Sequence, residues 1–188
     1  TSGDNDVTDR ILEGTAYDRA ELTVRRTFPL TIVGKIHVAV GILGTSGLLA
    51  PTLFLSRDRI RAVEGAETLS LTIVALTLIG VVVTFGAGLL LLRQLYVIQR
   101  RSLTEDEAQR LVRIEDVLMW VVLQGGAFVL IPVALAVVGF LSADAIDALY
   151  RYDITVYQPS ETIGVDARAV SALGGSLAVL LSALSRRL

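Results

Sequence analysis

Cysteine is absent from the chain, which excludes disulfide bridges, thiolate metal centres and thiol nucleophiles. Lysine and histidine occur once each, as Lys35 and His37. One histidine cannot supply both axial ligands of a haem without a second subunit, so no haem or other cofactor is expected. The sixteen arginines set against that single lysine are the mark of a GC-rich coding sequence, such as an archaeal or actinobacterial one, and carry no mechanistic meaning. Charge is missing altogether from four long stretches. Residues 36–56, 68–92, 117–143 and 169–185 contain no Asp, Glu, Lys or Arg. Without a carboxylate or arginine in any of them, the usual residues of a proton-driven carrier are lacking. There is no phosphate-cradling glycine loop and no nucleophile–base pair, so catalysis is not expected.

Apolar residues fill those stretches, making up 53% of the chain and raising its mean hydropathy to +0.63. A bilayer core about 30 Å thick needs about 20 helical residues, and the range of roughly 17 to 25 admits all four runs. They lack the period-two alternation of a membrane barrel. The sequence therefore predicts an all-α, integral membrane four-helix bundle with spans at about 29–55, 68–92, 117–142 and 169–185. Residues 29–188 form one membrane domain. Residues 1–28 form an N-terminal segment whose ten charges and lack of an apolar run are the reverse of a secretory leader. Orientation follows from short flanking segments, because Lys and Arg resist translocation. With four spans, twelve basic residues share the side of both termini and five lie on the other, which predicts cytoplasmic termini.

The segment between spans two and three does not read as a loose loop. In SLTEDEAQRL, Thr104 followed by Glu107 forms a capping-box pattern, and acidic residues 105–107 complement the helix dipole. Span two is expected to continue to about residue 101 and span three to start at 104, giving a cytoplasmic helical hairpin. Its arginines and carboxylates balance, which disfavours nucleic-acid binding. Upstream, AYDRAELTVRRTFPL is expected to form a short amphipathic helix with Leu22 and Val24 on lipid and Arg25 and Arg26 as interface anchors near anionic headgroups. Pro29 suits the first turn of span one. Trp120 is placed at the same interface, and Tyr150, Tyr152 and Tyr157 on the outer side, on headgroups or against a partner. Residues 1–8 are polar enough to predict an unstructured stretch.

Two side chains stand out within the first span. Lys35 is expected to snorkel, its stem carrying the ammonium to the cytoplasmic surface as an interface anchor. His37, about 200° away on the helix, cannot share its pocket and is expected to pack as a neutral imidazole bonded to a neighbour. Gln124 is expected to hydrogen-bond across to another helix. Small residues at Gly34, Gly41, Gly44 and Gly47, at Gly125 and Gly126, and at Gly174 and Gly175 are expected to allow close helix packing. Pro51 and Pro132 each remove a backbone bond and predict kinks.

These features lead to a non-catalytic multi-pass membrane protein that acts as a subunit, scaffold or structural component of a larger assembly, cellular or viral. Its expected partners are the lipid bilayer and homo- or hetero-oligomeric membrane chains. The alternative expectation is a small transporter or channel subunit with a path lined by His37, Gln124 and the glycine pairs.

Overall fold

Each long helix begins where a hydroxyl can accept a hydrogen bond from the first turn. Thr31, Ser70 and Thr104 take backbone N–H groups of Gly34, Ile73 and Glu107, and so set the starts of three membrane helices. The computed structural model describes residues 15–159 and 166–188. The expectation for residues 1–8, like the whole first half of the N-terminal segment, lies outside them. The elements are α1 (Ala16–Thr23), α2 (Ile32–Ser46), α3 (Leu49–Arg61), β1 (Thr68–Leu69), α4 (Leu71–Arg100), α5 (Glu105–Leu141), α6 (Ala143–Arg151), β2 (Tyr157–Gln158) and α7 (Ala167–Ser185). The α2–α3 run, α4, α5 and α7 are each long and apolar enough to cross a membrane. The expected all-α four-helix bundle is therefore present, and the chain is a multi-pass membrane protein.

Contacts fix the helix directions. Lys35 and Ile42 of α2 meet Glu115 and Gly126 of α5, so these two helices run parallel. Leu43 and Gly47 at the first span meet Gly174 and Ser171 of α7, and Gly80 and Thr84 of α4 meet Val129 and Gly125 of α5, so α7 and α4 run the other way. Helices α2 and α4 each touch all the other spans, while α5 and α7 flank them. Ile36, Ala39, Leu43, Val81, Leu91, Val122, Val129 and Leu181 fill the core. We refer to the end carrying α1 and the α4–α5 turn as the hairpin end, and to the opposite one as the cap end.

Glycine sets the closest approaches, but only some of the expected ones. A Cβ at Gly80 would lie 2.6 Å from the Gly125 carbonyl, one at Gly126 2.7 Å from Ile42, and one at Gly174 would coincide with the Ser46 hydroxyl. By contrast, a Cβ at Gly41, Gly44 or Gly175 would meet nothing within 4 Å, and one at Gly34 only its own turn. Of the expected stripe on span one, Gly47 does approach α7, where a Cβ would lie 3.7 Å from the Gly175 Cα, but Gly34, Gly41 and Gly44 are not the packing face of α2 inside this chain. The buried face is instead Ile32, Lys35, Ile36, Ala39, Ile42, Leu43 and Ser46.

Span one also departs from expectation. It is not a continuous helix kinked at Pro51, and Pro29 precedes it rather than forming its first turn. Pro51 has no N–H for the carbonyl of Gly47, and its ring would clash there. The helix accordingly stops at Ser46 and restarts at Leu49, which leaves Pro51 in the new first turn where no donor is needed. Ser171 of α7 bridges the break. Its hydroxyl donates to the Gly47 carbonyl at 2.6 Å and accepts from the Ala50 N–H at 3.3 Å. Helix α5, in contrast, continues through Pro132 to Leu141.

At the hairpin end, α4 runs to Arg100 and α5 starts at Glu105 with both halves of the Thr104–Glu107 capping box formed, as the sequence predicts. At the cap end, β1 and β2 pair antiparallel, Thr68 with Gln158 and Leu69 with Tyr157. The Tyr157 hydroxyl donates to the Ala136 carbonyl at 2.7 Å and accepts from the Gly139 N–H at 3.2 Å. Burial pushes that hydroxyl up to about 12, so it stays a protonated donor. Tyr150 donates in turn to the Tyr157 carbonyl. Tyr157 thus holds the cap to α5 and Tyr150 braces β2, while Tyr152 is exposed.

A buried ion cluster as candidate functional site

The apolar positions of α5 recur at four-three spacing through Ala108, Val112, Glu115, Met119 and Val122, all buried. Glu115 therefore occupies a core position of an amphipathic stripe, facing the bundle. One turn into α2, Lys35 occupies the equivalent place on the parallel helix. The two are fully buried, with Lys35 Nζ 3.3 Å from Glu115 Oε2 and 3.6 Å from Asp116 Oδ1. Lys35 thus does not snorkel as expected. Taking an ammonium out of water is costly unless a carboxylate is at hand, and here two are within reach.

The N-terminal segment closes the cluster. Thr15 and Asp18 cap α1 reciprocally, and Tyr17 and Ala20 pack against Ala108 and Val112. The Tyr17 hydroxyl donates to Glu115 Oε1 at 2.7 Å, and the Thr27 N–H donates to Asp116 Oδ2 at 2.6 Å. Desolvation, reinforced by the adjacent Glu115 charge, holds the Tyr17 hydroxyl well above its ordinary value, so it remains a donor. Each carboxylate is shared between Lys35 and one group of the N-terminal segment. Chemically this arrangement binds the chain to itself. With both Lys35 and Glu115 sealed from solvent, the cluster offers nothing to a substrate, and no metal-binding group of His, Asp or Glu occurs among the described residues.

The other candidates do not converge. His37 is exposed on the outer face of α2, in line with Gly41 and Gly44, and is not packed between helices as expected. Gln124 is exposed on the outer face of α5 and makes no cross-helix bond among the described residues. Of the glycine pairs, Gly125, Gly126 and Gly174 are filled against neighbouring helices, while Gly175 is open. Arg26 pairs with Glu21 at 2.5 Å instead of reaching outward, while Arg25 is exposed. Trp120 is 51% exposed with its ring edge-on to Phe28 at 5.2 Å. Leu22 is exposed as expected, but Val24 packs beside Tyr17 and Ala20. No protein family, curated protein or solved structure matches the chain.

Proposed function

We propose that the chain is a non-catalytic subunit or scaffold of a larger membrane assembly. The observation that carries this reading is the outward placement of Gln124 deep in its span, with His37 also facing outward nearer the headgroups. Hydrocarbon offers an imidazole or an amide no hydrogen-bond partner, so polar side chains on the outside of a bundle favour contact with another membrane helix. Gln124 lies about 10 Å inside its charge-free run at 1.5 Å per residue, too deep for a short side chain to reach the headgroups. The open space beside Gly41 and Gly44 suits the close approach of such a helix.

The parent in mild detergent should elute as a particle containing more than one chain. The double variant His37→Leu with Gln124→Leu should shift to a smaller one while keeping its helical content. An unchanged elution volume would remove the basis for this reading. Flux measured in reconstituted liposomes from about pH 5 to 8 provides the opposing outcome. A pH-dependent parent flux that is lost in His37→Gln would replace the scaffold with a transporter.

In this reading both termini are cytoplasmic, on the strength of the twelve-to-five division of basic residues. Because the chain has no cysteine, single-cysteine variants test the orientation cleanly. Glu64→Cys at the cap should react with an impermeant maleimide in intact cells, and Ser102→Cys in the hairpin turn should react only after lysis. The reverse pattern would invert the protein in the membrane.

A further inference from the structure

Charge at the hairpin end is divided between two sides of the bundle. The carboxylates there belong to α1 and α5, and Glu21, Glu105, Glu107 and Glu115 among them are matched by Arg26, Arg19, Arg101 and Lys35. Helices α4 and α7 contain no Asp or Glu at all. Both run toward the hairpin end and meet at Gly88 and Leu181, so five further residues along each bring Arg93 level with residue 186 and its neighbour Arg187. These arginines follow immediately on the charge-free stretches that end at residues 92 and 185, which is where hydrocarbon gives way to headgroups.

Between them lies a groove of about 370 Å³, walled by Leu89, Leu92 and Leu184, with Arg93, Arg187 and Tyr96 at its mouth. Both guanidinium groups are exposed and have no carboxylate partner among the described residues. The Tyr96 hydroxyl is likewise without a partner there, while its ring lies under Arg100 at 5.3 Å. Two unpaired forked cations above an oily slot match a phosphate attached to an acyl chain. A guanidinium can bind phosphate oxygens through two parallel N–H donors. Basic pockets between membrane helices at the headgroup level are suited to anionic lipids.

We propose that the α4–α7 groove binds one anionic phospholipid, its phosphate held between Arg93 and Arg187 and one acyl chain laid along Leu89, Leu92 and Leu184. The lipid covers apolar surface that the chain leaves open on this side and neutralises the charge that α4 and α7 do not balance themselves.

Native mass spectrometry of the full chain in mild detergent tests this, with phosphatidylglycerol and phosphatidylcholine of identical acyl chains as probes. The parent should retain one phosphatidylglycerol in preference to phosphatidylcholine. Arg93→Gln with Arg187→Gln should weaken that retention about thirty-fold, taking each arginine near a lipid surface at its usual strength. Both residues are exposed, and circular dichroism would establish that the variant is folded. Arg110→Gln with Arg113→Gln removes the same charge from α5 and should leave the preference intact. Glycerol phosphate, which has the anion without the tail, should not displace the lipid at a hundred-fold excess. Equal retention of the two lipids by the parent, persistence of the preference in the α4–α7 variant, its loss in the α5 variant, or displacement by glycerol phosphate would each overturn the proposal.

Discussion

Lys35→Met should destabilise the protein by about 3–5 kcal/mol, the cost of leaving a buried carboxylate without its partner. Glu115 sits in the same sealed pocket, and once the ammonium is gone only the Tyr17 hydroxyl remains on it. Adding Glu115→Leu and Tyr17→Phe to the variant removes the stranded glutamate with its donor and should recover part of the loss, because an apolar replacement of similar volume often equals a buried ion pair, while Asp116 keeps only the Thr27 N–H. Lys35→Arg separates this geometry from a snorkelling lysine. An arginine anchor would reach the headgroups as well as lysine does and be tolerated. In a fully buried pocket the larger, rigid guanidinium has no room and should also destabilise. Thermal unfolding in a single detergent, followed by loss of soluble protein, gives the comparison. A Lys35→Met variant that melts with the parent, or a Lys35→Arg variant that does, would show that the ammonium lies elsewhere. Loss of the cluster should also release α1, so proteolysis near residue 25 should accelerate in Lys35→Met and not in His37→Leu.

The four spans were legible because each coincides with a run free of charge, and charge is what hydrocarbon excludes most strongly. The hairpin was legible for a local reason, as Thr104 and Glu107 cap each other three residues apart. What could not be read was which face of each helix turns inward. In water the apolar stripe marks that face, but in lipid both faces are apolar and the contrast disappears. On α2, two stripes of similar period compete, Gly34, Gly41 and Gly44 against Ile32, Lys35, Ile36, Ala39 and Leu43. The bundle takes the second. The Lys35–Glu115 pair was hidden further, since its partners are eighty residues apart and meet only because α2 and α5 run parallel in one register. A signal was available on one side of it. Glu115 falls at a core position of α5, and a buried glutamate implies a cation. The break in span one had its signal too, in the four-residue spacing of Gly47 and Pro51.

Gly174→Leu should separate spans one and four, at a cost of at least about 2 kcal/mol for overpacking against backbone. The Cβ alone would fall on the Ser46 hydroxyl and come within 3.2 Å of the Leu43 carbonyl, and the rest of a leucine side chain has nowhere to go. Ser46 is held by its own hydrogen bond to the Leu43 carbonyl at 2.7 Å, so it cannot turn aside without giving that up. The splice at the helix break lies one turn away, where Ser171 bonds Gly47 and Ala50, and a displaced α7 would strand the Gly47 carbonyl as well. Gly174→Ala should show a smaller loss, and Ser46→Gly should partly restore it by removing both the hydroxyl and the Cβ in its way. Gly44→Leu makes the contrast, because a Cβ there would meet nothing within 4 Å beyond its own helix backbone among the described residues. Its melting should stay within about 0.5 kcal/mol of the parent, as for a surface change, while its particle size reports whether another chain covers that face. If Gly44→Leu unfolds the protein and Gly174→Leu does not, the faces of the first helix have been assigned the wrong way round.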